Sequence, residues 1–254
     1  MTSLPKLFTT LLLAGGAFLP LDFPAHALDD QQKKEFGAFI REYLIANPEV
    51  MLEVQEALEK KQQDLRAAQT TNGIAANKQA IFASADDITL GNPNGDVTVV
   101  EFFDYNCGYC KRALADMEEI LSEDKKVRFI LKEFPILGPD SMAAHRVANA
   151  VRLLAPEKYP QFHRALLGGQ TRATEQTALQ VAAMLGVQEA DIRKTMKDKP
   201  NDPQVQATYE LANALGVTGT PFYVVGEEAV FGAVGHEELS QKIANLRACG
   251  KATC

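Results

Sequence analysis

Two cysteines three positions apart, Cys107 and Cys110, stand where a strand pattern gives way to a helix pattern, and that junction limits what the chain around it can become. Val97-Thr98-Val99-Val100-Glu101-Phe102-Phe103 is rich in β-branched and aromatic residues, as a buried strand requires. From Cys110 to Leu121 the apolar residues recur with a period of about 3.6, the mark of an amphipathic helix. Cys107 therefore falls at a helix N-terminus. Free backbone N–H groups and the positive end of the helix dipole favour a thiolate there and pull its pKa below the free value of ~8.5. The first cysteine then reads as a nucleophile. Cys110, one turn on and facing inward, would resolve a mixed disulfide by attacking the Cys107 sulfur. An inert disulfide and half of a zinc site are the alternatives for such a pair. Zinc would need two more ligands, and the other cysteines, Cys249 and Cys254, lie at the far end of the chain.

The chain has 254 residues, 46% of them hydrophobic, which is enough for a packed core without a structural metal. A net charge of −7 and the lack of any basic run argue against nucleic acid as a partner. Residues 1–27 carry the pattern of a secretory signal. Lys6 precedes a mostly apolar run from Leu7 to Leu21, and Ala25-His26-Ala27 predicts cleavage before Leu28. Gly15-Gly16 and Pro20 interrupt that run, which falls short of the ~20 residues of a membrane span. Secretion would place the protein in an oxidising compartment, where disulfide chemistry operates.

Residues 28–77 read as an N-terminal helical arm and linker. Asp29 and Asp30 can cap a helix with Phe36, Phe39, Ile40, Tyr43 and Leu44 on one face, and Pro48 interrupts it. A second, charged helix follows. Steps of seven link Phe36, Tyr43 and Val50, and again Met51, Leu58 and Leu65, which points to association between chains; packing against the chain's own catalytic domain is the alternative. Ala67 to Asn77 reads as a fraying helix end and a linker, with Asn72-Gly73 as the break.

Residues 78–254 read as one α/β domain. Gln79 to Ala83 is expected as an edge strand, and Lys126 to Phe134 as the strand that completes a βαβ unit with a parallel pair. From about Pro139 to Leu215 the signals are helical. The first of these helices is expected to be capped by Asp140 or Ser141, another by Thr174, with stops at Gly168-Gly169 and Gly186. The stretch is an inserted helical subdomain. Phe222 to Val225, a turn at Gly226-Glu227-Glu228 and Ala229 to Phe231 form a hairpin, followed by a helix from His236. His145, His163 and His236 are expected in core or surface roles. Cys249 and Cys254 read as a structural disulfide pinning the tail, with a second redox pair or a metal-binding tail as alternatives.

Cys107-Gly108-Tyr109-Cys110 after a strand, a long helical insertion, and Gly219-Thr220-Pro221 before the terminal hairpin together resemble the thioredoxin superfamily and, within it, DsbA-like thiol-disulfide oxidoreductases. The resemblance spans residues 78–248. The arm, from Phe39-Ile40-Arg41-Glu42-Tyr43-Leu44 through Asn47-Pro48-Glu49-Val50, is similar to the N-terminal segment of ScsC-type proteins, a family of trimeric thiol-disulfide enzymes. The resemblance implies a thioredoxin fold with an inserted helical subdomain, no cofactor beyond a redox-active Cys107–Cys110 disulfide, and no metal. It makes Pro221 the cis-proline that pairs with substrate backbone and Glu101 the buried acid that relays the Cys110 proton. Gly108, Tyr109 and Thr220 would complete the substrate surface. Thr220 is the type found in many isomerases of the superfamily. Gly108-Tyr109 departs from the Pro-His pair of the strongly oxidising members and implies a milder potential.

The functions that follow are three. The first is a periplasmic, oligomeric disulfide isomerase or reductase, a homotrimer through its arm. It would act on unfolded or misoxidised secreted proteins and be kept reduced by a membrane partner. The second is a monomeric dithiol oxidase. The third is a copper-handling protein whose thiolates hold Cu(I).

Overall fold

Val97–Phe103 forms the central strand, β2, because every residue in it except Glu101 is β-branched or aromatic, and nearly all of it is buried on both faces. The computed structural model describes residues 29–254; the signal sequence expected at residues 1–27 lies outside them. Strand β2 runs parallel to β3 (Val127–Glu133), with Val97 opposite Val127 and Phe103 opposite Glu133. On its other side it pairs antiparallel with β4 (Phe222–Val225), which forms a hairpin with β5 (Glu228–Phe231). The fifth strand, β1 (Ile88–Gly91), pairs antiparallel with β3, giving the order β1-β3-β2-β4-β5.

The two-residue period of β2 sorts its side chains into two cores. Val97, Val99 and Phe103 join the larger core, which includes Met117 and Ile120 of helix α4 (Gly108–Glu123) and Leu239 and Ile243 of helix α10 (His236–Cys249). Val100 and Phe102 join the smaller core on the opposite face. Glu101 lies between Val99 and Phe103 in that alternation, and so on the α4 side. The helical insert between β3 and β4 is as expected: α5 (Pro139–Leu154), α6 (Tyr159–Leu167), α7 (Glu175–Met184), α8 (Glu189–Asp198) and α9 (Asp202–Ala214). Thr174 caps α7 reciprocally with Thr177. Helix α5, however, has Gly138 at its N-cap (φ +102°) and Pro139 in its first turn, without the side-chain cap expected of Asp140 or Ser141. Proline needs no such cap for its missing N–H, and Ser141 is free to bond elsewhere.

Of the described residues, those from Asp29 to Leu58 form one compact unit and Glu59–Cys254 another. In the first, Asp29 caps α1 (Asp30–Ala46) through a capping box with Gln32, and Pro48 separates α1 from α2 (Glu49–Ala76). No described helix is long and apolar enough to cross a membrane.

Two expectations are corrected near the end of α2. Asn72-Gly73 is not a break, because α2 runs on to Ala76 with Thr70, Gly73 and Ile74 buried. Thr70 Oγ1 donates to the Leu215 carbonyl at 2.8 Å and Gln69 Nε2 to the Asn213 carbonyl at 3.2 Å. The glycine allows this approach: a Cβ at position 73 would lie 2.5 Å from the Ala214 carbonyl oxygen. Gly73→Ala should therefore destabilise the fold, since crowding of about 1–3 kcal/mol outweighs up to ~1 kcal/mol of gained helix propensity. A melting temperature lowered by about 2–4 °C is expected. An unchanged or raised melting temperature would show that the contact relaxes freely.

The expected edge strand at Gln79–Ala83 is instead a short helix, α3 (Lys78–Phe82), with Ile81 fully buried in the smaller core. An apolar run this short fits either element, and the neighbouring contacts decide. Lys132 Nζ donates to the Ala80 carbonyl at 2.6 Å and also pairs with the Asp87 carboxylate, fixing α3 beside β3. The edge strand beside β3 is β1.

Candidate active site

The turn from β2 into α4 places the two thiols. The Cys107 N–H donates to the Asp104 carbonyl at 3.0 Å, and the Cys107 carbonyl accepts from Lys111 N–H at 3.0 Å. Cys107 is thus the N-cap of α4, in extended conformation at φ −76°, ψ 116°. Both thiols are free; Cys107 is 7% exposed and Cys110 is fully buried. The Cys107 Sγ lies 3.1 Å from the Thr220 carbonyl oxygen, to which it donates when protonated, and the Thr220–Pro221 peptide is cis. The structure therefore brings together Cys107, Gly108, Tyr109, Cys110, Thr220 and Pro221.

The two sulfurs differ in acidity. A hydrogen bond from the Cys110 thiol is the largest influence on Cys107. Against the opposing effect of burial, and helped by the Thr220 side chain and the N–H groups of Cys110 and Tyr109, it brings that thiol down to about 5. Cys110 moves the other way: burial, its hydrogen bond to Cys107 and the Glu101 charge push it far above the ordinary thiol range. Glu101 is held at about 8 by burial, with the charges of Cys107 and Asp116 adding. Its Oε1 has no hydrogen-bond partner among the described residues. At neutral pH this gives an ionised first thiol, a protonated second thiol and a protonated carboxyl on the same side of the sheet. Such a set can attack a disulfide, and the ionised fraction of Glu101, about a tenth at pH 7, can take the Cys110 proton.

Tyr109 is 58% exposed, and the Arg112 guanidinium carbon sits 4.2 Å from its ring centroid. His145 and His163 are buried behind the turn, with the His145 ring 4.6 Å from that of Tyr105 and His163 Nδ1 3.3 Å from the Tyr105 hydroxyl. Burial first, and then the charges of His145 and Arg164, lower His163 to about 3, so it stays neutral. His236 opens α10 and contacts Glu123 Oε2 at 2.9 Å, at the end of α4 away from the thiols. Cys249 and Cys254 are joined as a disulfide, and Ala252 between them is buried in the larger core.

The sequence reading passed over Asp104 and Asn106. Asp104 is completely buried, and both side chains bond to the helical insert. A signal was present. Aspartate two residues before asparagine, directly ahead of a helix start, is the pattern of an Asx turn.

Sheet order, a dithiol at a helix start and a cis-proline loop facing it define the thioredoxin class of folds. Residues 98–244 match the model of the DSBA-like thioredoxin domain, and the chain belongs to that family. Residues 32–64 match the N-terminal domain of copper resistance protein ScsC. A thioredoxin-like oxidoreductase from Silicibacter pomeroyi is 38% identical, with 68% of this chain and 99% of that one covered at a TM-score of 0.65. The thiol-disulfide exchange protein alpha-DsbA2 from Wolbachia pipientis is 32% identical, with 72% and 98% covered at 0.67. Proteus mirabilis ScsC in a compact conformation is 27% identical, with 87% and 100% covered at 0.62. The chain spans 24% of the length of the Na(+)/H(+) antiporter NhaA 3 of Salinispora tropica and 64% of DsbA of Bordetella parapertussis, curated relatives that are 24% and 28% identical to it.

Proposed function

We propose that this protein is a periplasmic thiol-disulfide oxidoreductase working as an oligomeric isomerase or reductase. The observation that carries the reading is the Cys107 sulfur at the N-terminus of α4 against the Thr220 carbonyl, 3.1 Å away. In the first step the Cys107 thiolate attacks one sulfur of a client disulfide. That S–S bond breaks, a Cys107–client disulfide forms, and the other client sulfur leaves as a thiolate. For isomerisation, a different client thiolate attacks the mixed disulfide and Cys107 is released reduced, with no net electron transfer. For reduction, Cys110 gives its proton to Glu101 in that carboxyl's ionised fraction, about a tenth at pH 7 for a group held at about 8, and attacks the Cys107 sulfur. The client leaves as a second thiolate with two electrons gained, and a Cys107–Cys110 disulfide remains. A membrane partner must then return two electrons.

Gly108, Tyr109, Thr220 and Pro221 make the client surface in this reading, and the Cys249–Cys254 disulfide pins the tail. Residues 1–27 are the export signal, 28–77 the oligomerisation arm and 78–254 the catalytic domain. The ScsC-type arm and its exposed Phe36, Phe39 and Tyr43 support a homotrimer.

The test is a scrambled multi-disulfide client supplied with catalytic amounts of the reduced protein. Recovery of native client activity well above the uncatalysed rate is expected. A protein that oxidises reduced clients but does not unscramble would instead be a dithiol oxidase.

A further inference from the structure

Between the end of β2 and the start of α4 the chain must turn from strand to helix within the four residues Asp104 to Cys107, and the backbone alone supplies little to hold that turn. Its own bonds are the Phe103 carbonyl accepting from Phe134 N–H at 2.9 Å and the Asp104 carbonyl accepting from Cys107 N–H. Side chains supply the rest. The Asp104 carboxylate is fully buried and is used only as an acceptor. Its Oδ1 takes the Asn106 N–H at 2.8 Å and the Ser141 hydroxyl at 2.8 Å, and its Oδ2 takes the Leu137 N–H at 2.9 Å.

Asn106 continues the chain of bonds in the other direction. Its Oδ1 accepts from Ala173 N–H at 2.7 Å, while its Nδ2 donates to the Ala173 carbonyl at 2.9 Å and to Ser141 Oγ at 3.0 Å. The serine hydroxyl gives its one proton to Asp104 and accepts from Asn106. Every donor and acceptor in the group is matched, as a buried polar network must be if it is to fix one arrangement.

The partners lie in three places: the loop after β3 (Leu137), the first turn of α5 (Ser141) and the approach to α7 (Ala173). None touches the sulfur. We propose that Asp104 and Asn106 are positioning residues that lock the turn before Cys107 onto the helical insert, so that the insert, and not the sheet alone, holds the nucleophile in its N-cap conformation. This rests on the reading of Cys107 as nucleophile. The N–H groups that favour the thiolate act through orientation, and an N-cap residue lacks helical φ and ψ of its own. Releasing the turn lets the sulfur drift from them.

The experiment is thiolate titration of Cys107 in the reduced full-length protein, by absorbance and by alkylation rate from pH 3 to 9. The variants are Asn106→Ala, Ser141→Ala and the double mutant, none of which changes the charge near the sulfur. Thr70→Val is the control, removing a buried hydrogen bond to Leu215 on the other side of the sheet. In Asn106→Ala the midpoint is expected to rise by about one pH unit, roughly a tenfold loss of preference for the thiolate, and the double mutant is expected to fall short of the sum. Thr70→Val should lower the melting temperature and leave the midpoint in place. Midpoints unchanged in both single variants would overturn the proposal, as would an equal shift in the control. If Asn106→Ala does not fold, Ser141→Ala decides: a raised midpoint supports the lock and an unchanged one overturns it. Cys107→Ser separates the two readings. If it keeps exchange activity, the assignment of the nucleophile fails; if it loses activity while the midpoints stay put, only the lock fails.

Discussion

Cys107→Ser is expected to reduce insulin no faster than the uncatalysed background, and the wild-type thiol to titrate with a midpoint of about 5. The two results follow from one arrangement but measure different things. At pH 7 a thiol titrating near 5 is about 99% ionised, against about 3% for free cysteine. Nucleophilicity falls with basicity, however, with a Brønsted slope of about 0.4–0.5, and this cancels most of the roughly thirtyfold gain. The low value therefore adds little to attack at pH 7. It makes Cys107 a good leaving group when a client thiolate attacks the client sulfur of the mixed disulfide, and it keeps the rate flat as pH falls. Alkylation of the wild type should hold its rate from pH 8 to about 6 and drop below 5. A profile still rising between pH 7 and 9 would contradict this.

The same shift stabilises the reduced form. A folded value of about 5 against 9.0 for an ordinary thiol is depressed, so the contribution is present at high pH and is lost as pH falls through about 5. At pH 7 it amounts to about 3 kcal/mol, equivalent to about 60 mV of more oxidising potential than an unshifted pair would have. Glu101 has the opposite sign. Its carboxyl is raised from 4.5 to about 8, so the folded protein holds the proton longer and loses stability as pH rises across that window. Burial, the largest cause of the Glu101 shift, acts in both redox forms and only the smaller effect of the Cys107 charge is confined to the reduced one, so their difference in melting temperature is dominated by Cys107. Reduced minus oxidised should grow more positive from pH 5 to 8. A flat difference would place the thiol at an ordinary value.

What could be read in advance depended on how local the cause was. The thiol pair, its strand and its helix sit within 25 consecutive residues, and strand composition, helical period and N-terminal position all act over that range. The insert was readable because Thr174 and Gly186 signal helix ends through their own backbone preferences. Gly73 has two physical meanings, a helix break or a close approach, and only the Ala214 carbonyl opposite it selects the second. Strand β1 and helix α3 were misplaced because four and five residues are too few to show a period. Asp104 and Asn106 were missed for a related reason: the Asx-turn spacing signals only the local turn, and the partners in the insert lie 33 to 67 residues away, so the sequence does not show what the pair holds.

Phe39→Glu with Tyr43→Glu is expected to convert the protein from oligomer to monomer in light scattering at micromolar concentration. Helix α1 has no buried residue; Phe39 is 62% and Tyr43 49% exposed, and their rings lie 6.3 Å apart on one face. Such aromatics stay wet in a single chain and mark an association surface. Burying each contributes about 1.5–3 kcal/mol, so losing two per chain removes about 3–6 kcal/mol. Placing a carboxylate in the interface adds a desolvation penalty of its own. A loss of that size weakens association by roughly 10²–10⁴-fold, which is the change expected to separate the chains at micromolar concentration. The consequence for function separates isomerase from oxidase. Insulin reduction per Cys107 should survive, since that chemistry needs one dithiol. Unscrambling should fall several-fold, because one client would no longer meet several thiolates on the same particle, where effective concentration favours repeated attack. An unchanged mass would show that this face does not join the chains. A monomer that unscrambles as well as the wild type would show that isomerisation needs only one site.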